Sequence, residues 1–197
     1  NDGYMDWSND MISLVFIRHG ATKGNLEKRY IGRTDEPLCD IGIEQALNLR
    51  DYNFPKEFVF VSPMKRTIQT AELIFPGSKY VIEENFKETD FGIFEGKTAI
   101  ELSQNEEYRL WVDSMCLSPI PNGESIAEFK ERCVNAFEKI VKSLPDNKEA
   151  SFVVHGGVIM AILEHFAEKK RNFYDYHIKN GEFLLCKFEN DTISLQE

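Results

Sequence analysis

The run Ile12-Ser13-Leu14-Val15-Phe16-Ile17, followed at once by Arg18, His19 and Gly20, constrains the fold more than any other stretch of the chain. Six mostly apolar residues without polar alternation read as a strand covered on both faces, the environment of a central strand in a parallel sheet. Such a sheet needs crossover helices packed above and below it. In open α/β sheets ligands bind at the carboxyl edge, so Arg18 and His19 are delivered to a crevice and not to the core. Gly20 permits a sharp turn there, and Thr22 is placed to cap the helix that follows. An arginine, an imidazole and the free amides of a turn suit a phosphate.

The rest of the chain repeats this alternation. Further apolar runs at 58–61, 79–82 and 151–154 read as strands, and 183–188 and 192–195 as closing strands, the last an antiparallel edge. Between them, helical patterning covers 40–49 behind an Asp40 cap, 98–115, 124–143 and 158–168, with a further helix opened by Ser62 and Pro63 and running to Ile74. Residues 85–98, punctuated by Gly92 and Gly96, read as a loop with functional duties. The expected fold is therefore α/β: a single-domain three-layer α/β/α sandwich whose sheet is mainly parallel with an antiparallel edge strand.

Composition narrows the function. Residues 1–10 are polar and acidic and read as a flexible N-terminal extension, without the features of a secretory signal, ahead of one domain at 11–197. The excess of 33 acidic over 23 basic residues, a net charge of −10, speaks against nucleic acid and anionic membranes as partners. Cys39, Cys116, Cys133 and Cys186 form no Cys-x-x-Cys pair, which argues against a zinc knuckle or disulfide framework and for a cytoplasmic protein. An anionic substrate must then be attracted locally.

Three strands end in residues able to do this: the first in Arg18 and His19, the second just before Arg66, the fourth in His155. Two arginines can grip a phosphoryl group through forked hydrogen bonds, and an imidazole nitrogen can attack phosphorus in line. Glu88, in the loop after the third strand, is the candidate to protonate the leaving alcohol and later to activate water. His165 and His177 have no partner motif and read as surface or structural residues, and Tyr108, Trp111 and Phe129 as packing.

The ordered set Arg18-His19-Gly20-x-Thr22-x-x-Asn25, Ser62-Pro63-Met64-x-Arg66-x-x-x-Thr70-Ala71, Glu88-x-x-x-Gly92-x-Phe94-Glu95-Gly96 and His155-Gly156-Gly157 resembles the histidine phosphatase, or phosphoglycerate-mutase-like, superfamily over residues 12–188. The resemblance implies that His19 is the phosphorylated nucleophile, that Arg18, Arg66 and His155 complete a phosphate pocket and that Glu88 is the proton donor. It implies supporting contacts from Thr22 and Asn25, and no metal or cofactor. Met64 and Phe94 replace the usual leucine and tryptophan with side chains of similar bulk, so only packing is expected to change. Lys87 stands where arginine or asparagine is common, and it bears on the shape of the substrate side.

The short segment between Gly96 and Pro121 is similar to that of the small phosphatase branch. Within that branch, 29–38 and 121–125 resemble the α-ribazole-5′-phosphate phosphatases. The resemblance makes Tyr30, Arg33, Lys87 and Gly156 substrate contacts and a small phosphate ester the partner, for a monomer or homodimer. A cofactor-dependent phosphoglycerate mutase and a non-catalytic phosphate-binding module are the alternatives.

Overall fold

The computed structural model describes residues 11–145 and 148–196, so the expected extension at 1–10 lies outside the described residues. Six strands form one sheet: β1 (Ile12–Arg18), β2 (Phe58–Val61), β3 (Val81–Ile82), β4 (Glu149–Val154), β5 (Phe183–Glu189) and β6 (Thr192–Leu195), in the order β3-β2-β4-β1-β5-β6. β1 pairs in parallel with β4, β4 with β2, and β2 with β3. β5 runs antiparallel to β1, and β6 antiparallel to β5. The antiparallel region thus covers two strands, because the short turn at Asn190 and Asp191, both in the left-handed conformation, folds β6 back on β5 as a hairpin.

β1 is buried on both faces, as its composition requires. Leu14 and Phe16 point into one core with Phe152 and Val154, covered by α6 (Ile126–Ser143) and α7 (Gly156–Phe166). Val15 and Ile17 point into the other with Val59 and Val61, covered by α2 (Asp40–Leu49) and α3 (Lys65–Ile74). Phe16 is fully buried between the rings of Phe152 and Phe137, with centroids 5.2 and 5.8 Å away. Burial of this kind stabilises by about 1.5–3 kcal/mol per side chain. A third, smaller cluster of Phe94, Leu102, Tyr108, Trp111 and Ile120 folds over the carboxyl edge of the sheet.

Several element ends differ from expectation. Cys39, not Asp40, is the residue before α2, and Asp40 is its first helical residue, where a carboxylate still favours the positive end of the helix dipole. The helix after β2 begins at Lys65, with Met64 extended before it, so Ser62 and Pro63 belong to the turn. The patterned stretch 98–115 is two helices, α4 (Ala99–Leu102) and α5 (Glu106–Asp113), because the Asn105 side chain accepts from Tyr108 N and starts a new helix. Thr22 caps α1 (Lys23–Leu26) as expected, and α6 starts from a capping box between Ser125 and Glu128.

The parallel register aligns the strand ends. Arg18 lies opposite Val154, and Val61 opposite Val153, so β1, β4 and β2 release His19, His155 and Ser62 at one edge. The first link from sequence to site is therefore the pairing of β1 with β4.

Candidate active site

The rings of His19 and His155 meet edge to face, with centroids 5.1 Å apart, and both are buried. His19 Nδ1 lies 2.7 Å from Gly20 O, an acceptor only, so Nδ1 carries the proton and Nε2 keeps its lone pair. His155 Nε2 lies 2.7 Å from Ser62 Oγ. Burial holds both histidines well below the ordinary imidazole range, and the Arg66 guanidinium adds to this in each. Both imidazoles are therefore neutral near pH 7.

Arg66, 1% exposed, donates through Nη1 to Thr34 O at 2.9 Å and through Nη2 to Gly32 O at 2.8 Å. These bonds tie it to the loop after Ile31, whose amides in turn converge on Glu95: Gly32 N at 3.0 Å and Arg33 N at 2.8 Å. Arg18 Nη1 donates to Ile178 O at 2.6 Å and to His177 Nε2 at 3.0 Å. Among the described residues, three buried side-chain nitrogens have no hydrogen-bond partner: Arg18 Nε, Arg66 Nε and His155 Nδ1. Native proteins leave few such groups, and each costs about 1–3 kcal/mol where it is left unsatisfied. All three belong to residues gathered beside His19, and an anion rich in oxygen acceptors is the class of ligand suited to them.

Glu88 reaches the same cluster from its loop. Its Oε2 accepts from Gly157 N at 3.0 Å and its Oε1 from Thr89 N at 2.9 Å, which places the carboxylate at the N-terminus of α7. Both glycines there lie close to the cluster. A Cβ on Gly156 would lie 3.2 Å from the Arg18 guanidinium carbon, and one on Gly157 only 2.2 Å from Glu88 Oε1.

A cavity of about 190 Å³ opens beside the cluster and shares Arg18, Glu88, Gly156 and Gly157 with it. Its remaining wall is mostly aromatic and aliphatic: Tyr30, Phe91, Trp111, Phe173 and Tyr174, with Ile126 and Met160. Tyr30 is thus at the cavity, fixed by a 2.8 Å hydrogen bond between its hydroxyl and that of Tyr108.

Of the other expected contacts, Thr22 and Asn25 stay beside His19, since Asn180 Nδ2 donates both to His19 O at 3.1 Å and to Asn25 Oδ1 at 3.2 Å. The two bond each other across the α1 cap. Arg33 is exposed and reaches Glu124 at 3.8 Å, while Lys87 pairs with Glu84 at 2.7 Å; neither lines the cavity. Conversely, His177, Ser62 and Trp111 take places that sequence reasoning did not assign to them. Nothing in the residues flanking His177 sets it apart, since its contact with Arg18 spans 159 positions.

Among the described residues no three His, Cys, Asp or Glu side chains gather as a metal site, and no helix is long and apolar enough to cross a membrane. A family model described as the histidine phosphatase superfamily (branch 1) matches residues 14–197. The chain belongs to that superfamily.

As a histidine phosphatase it is a phosphomonoesterase with a His/Arg/His catalytic cluster. Among its relatives, the uncharacterized phosphatase PhoE of Bacillus subtilis (strain 168) is 29% identical over 196 residues, covering 86% of this chain and 96% of its own. A protein named probable phosphoglycerate mutase GpmB, from Escherichia coli O1:K1, is 31% identical over 152 residues, 74% of this chain and 70% of its own. The crystal structure of the α-ribazole phosphatase from Shigella flexneri shares the fold, with a TM-score of 0.84 at 24% identity over 93% of this chain and 94% of that one. The crystal structure of a phosphoglycerate mutase from Thermus thermophilus gives 0.71 at 26% identity, over 94% and 96%.

Proposed function

We propose that this histidine phosphatase hydrolyses a small phosphate monoester through a phosphohistidine at His19, releasing an apolar or aromatic alcohol, with α-ribazole 5′-phosphate as the leading substrate. The observation that carries the reaction is the set of three unpartnered nitrogens around one neutral imidazole. In the first displacement His19 Nε2 forms a bond to phosphorus as the ester oxygen leaves, and that oxygen takes a proton from Glu88. Arg18, Arg66 and His155 donate to the equatorial oxygens, where charge develops. With Ser62 Oγ as the donor to His155 Nε2, the ring proton is on Nδ1, which has no partner within the protein. In the second displacement water attacks the phosphohistidine, Glu88 accepts its proton, and inorganic phosphate leaves with His19 restored.

The cavity supports the substrate class. An engineered apolar cavity of about 150 Å³ accepts benzene, so a 190 Å³ cavity walled by aromatic rings takes one ring of a heterocyclic alcohol. A phosphoglycerate would bring a carboxylate to a wall whose charged members are Glu88 and Glu124 against Arg18.

The test is a comparison of kcat/KM across phosphate esters in the presence of EDTA. α-Ribazole 5′-phosphate and aryl phosphates are expected to lead, ahead of sugar phosphates. Conversion of 3-phosphoglycerate to 2-phosphoglycerate, primed by a bisphosphate and faster than hydrolysis, would overturn the reading in favour of a mutase. Zero turnover of every ester across a wide pH range would leave a phosphate-binding module.

A further inference from the structure

Glu88 lies in a stretch with no regular structure of its own, between the 3-10 turns Glu84–Phe86 and Gly92–Phe94. Left free, such a segment would move its carboxylate over several ångströms, whereas proton transfer needs a donor within hydrogen-bond reach. The amides of Gly157 and Thr89 hold the carboxylate itself, and one side chain of α6 restrains the backbone that carries it. Arg132 Nη1 donates to Asn85 O at 2.5 Å and to Lys87 O at 2.8 Å, and Nη2 donates to Glu88 O at 3.2 Å. Its Nε and Nη2 also grip Glu124, at 2.6 Å to Oε1 and 2.8 Å to Oε2. All five N–H groups of the guanidinium thus face an oxygen. The Phe129 ring lies under it, 4.9 Å from the guanidinium carbon to the centroid.

Glu124 does more than neutralise Arg132. Its Oε2 accepts from Asp90 N at 3.3 Å, so the pair holds the chain before, at and after Glu88. The ion pair is well shielded, with side-chain exposures of 17% and 12%. Three backbone carbonyls gathered on one guanidinium is an arrangement that a point charge cannot reproduce, because a lysine ammonium lacks the planar fork.

We infer that Arg132, locked by Glu124, is a positioning residue that sets the Glu88 carboxylate at the N-terminus of α7 by gripping the carbonyls of residues 85, 87 and 88. This rests on the reading of Glu88 as the proton donor. Its signature is dependence on the leaving group: an alkoxide needs the proton, whereas p-nitrophenolate departs without it.

Rapid-quench measurement of His19 phosphorylation by p-nitrophenyl phosphate and by a simple alkyl phosphate tests the inference in three variants: Arg132→Lys, Glu88→Gln and the two combined. Arg132→Lys is expected to slow phosphorylation by the alkyl ester roughly 10- to 100-fold and that by p-nitrophenyl phosphate less than about 3-fold. KM should stay unchanged. The double variant should be no slower than Glu88→Gln alone within about 2-fold, since both act on one proton. Equal slowing of both esters by Arg132→Lys, or multiplication of its effect on top of Glu88→Gln, would overturn the positioning role while leaving the acid in place. Equal slowing by Glu88→Gln would instead remove the acid, and this inference with it. Should Arg132→Lys fail to fold, Glu124→Gln, which keeps the carbonyl contacts but loosens the fork, must show the same contrast at smaller amplitude. Its absence there would overturn the inference equally.

Discussion

His19 owes its chemistry to one backbone oxygen. Because Gly20 O accepts from Nδ1, the free lone pair is always on Nε2, and no side-chain partner has to be recruited to set the tautomer. His19→Ala should abolish an acid-labile phosphoenzyme and lower kcat by at least about 10³-fold, as loss of a covalent nucleophile does; trapping with a ³²P-labelled ester checks it. Burial also gives the two histidines a pH signature. Both stay neutral in the folded protein well below the pH at which an unfolded chain protonates them. Below about pH 6.5 the unfolded state therefore binds protons that the native state does not, and stability declines by up to about 1.4 kcal/mol per pH unit for each histidine. Urea melts at pH 5.0 and 7.5 should show the lower midpoint at pH 5.0, and His155→Gln should flatten that slope. That His19, His155, Arg18 and Arg66 would gather was legible, since His19 and His155 follow β1 and β4 directly, Arg18 ends β1 and Arg66 opens the helix after β2. What each would touch was not: Lys87 turned to Glu84, and His177 reached Arg18.

α7 shows what the element scale adds. Its first two residues are glycines, poor helix formers, yet Arg18 lies against one and Glu88 against the other. Helix propensity has been given up for approach. Gly157→Ala should lower stability by about 1–2 kcal/mol, because displacing Glu88 Oε1, 2.2 Å from the new methyl, weakens its bond to the residue 157 amide and outweighs a gain in propensity of about 1 kcal/mol. It should also slow phosphorylation by alkyl esters roughly 10-fold or more, because the new methyl group occupies the place of Glu88 Oε1. A thermal melt and a rapid-quench series on the same sample would separate the two effects. The central strands could be read from short apolar runs, Leu14–Ile17 in β1 and Phe152–Val154 in β4, and α6 from its helical stripe between Phe129 and Val141, whereas β3 keeps only Val81 and Ile82 of the expected 79–82. The division of 98–115 into α4 and α5 could not, because the apolar pattern continues across the break and only the Asn105 cap marks it.

At the scale of the whole molecule, the edge of the sheet supplies the His/Arg/His cluster, while Phe91 and Trp111 of the 91–120 segment, Tyr30, Phe173 and Tyr174 supply the aromatic wall, so on the proposed function reaction type and substrate preference come from separable parts. Tyr174, 56% exposed, can be altered without opening the core. Tyr174→Ala should leave the melting temperature nearly unchanged and lower kcat/KM for aromatic esters by about 2- to 10-fold, the worth of one aromatic contact. Glycerol phosphate should be hydrolysed as before, and an equal loss on both esters would mean that the ring serves the fold alone. The cavity itself was not legible in the sequence, because it is built from side chains of separate segments that only tertiary packing brings together. β1, the strand that leads into His19, the proposed nucleophile, is the first of the six to leave the ribosome, while the two strands that flank it, β4 and β5, are the fourth and fifth. A nascent chain therefore exposes His19 long before His155 arrives beside it, and the His/Arg/His cluster is complete only after translation has passed the start of α7.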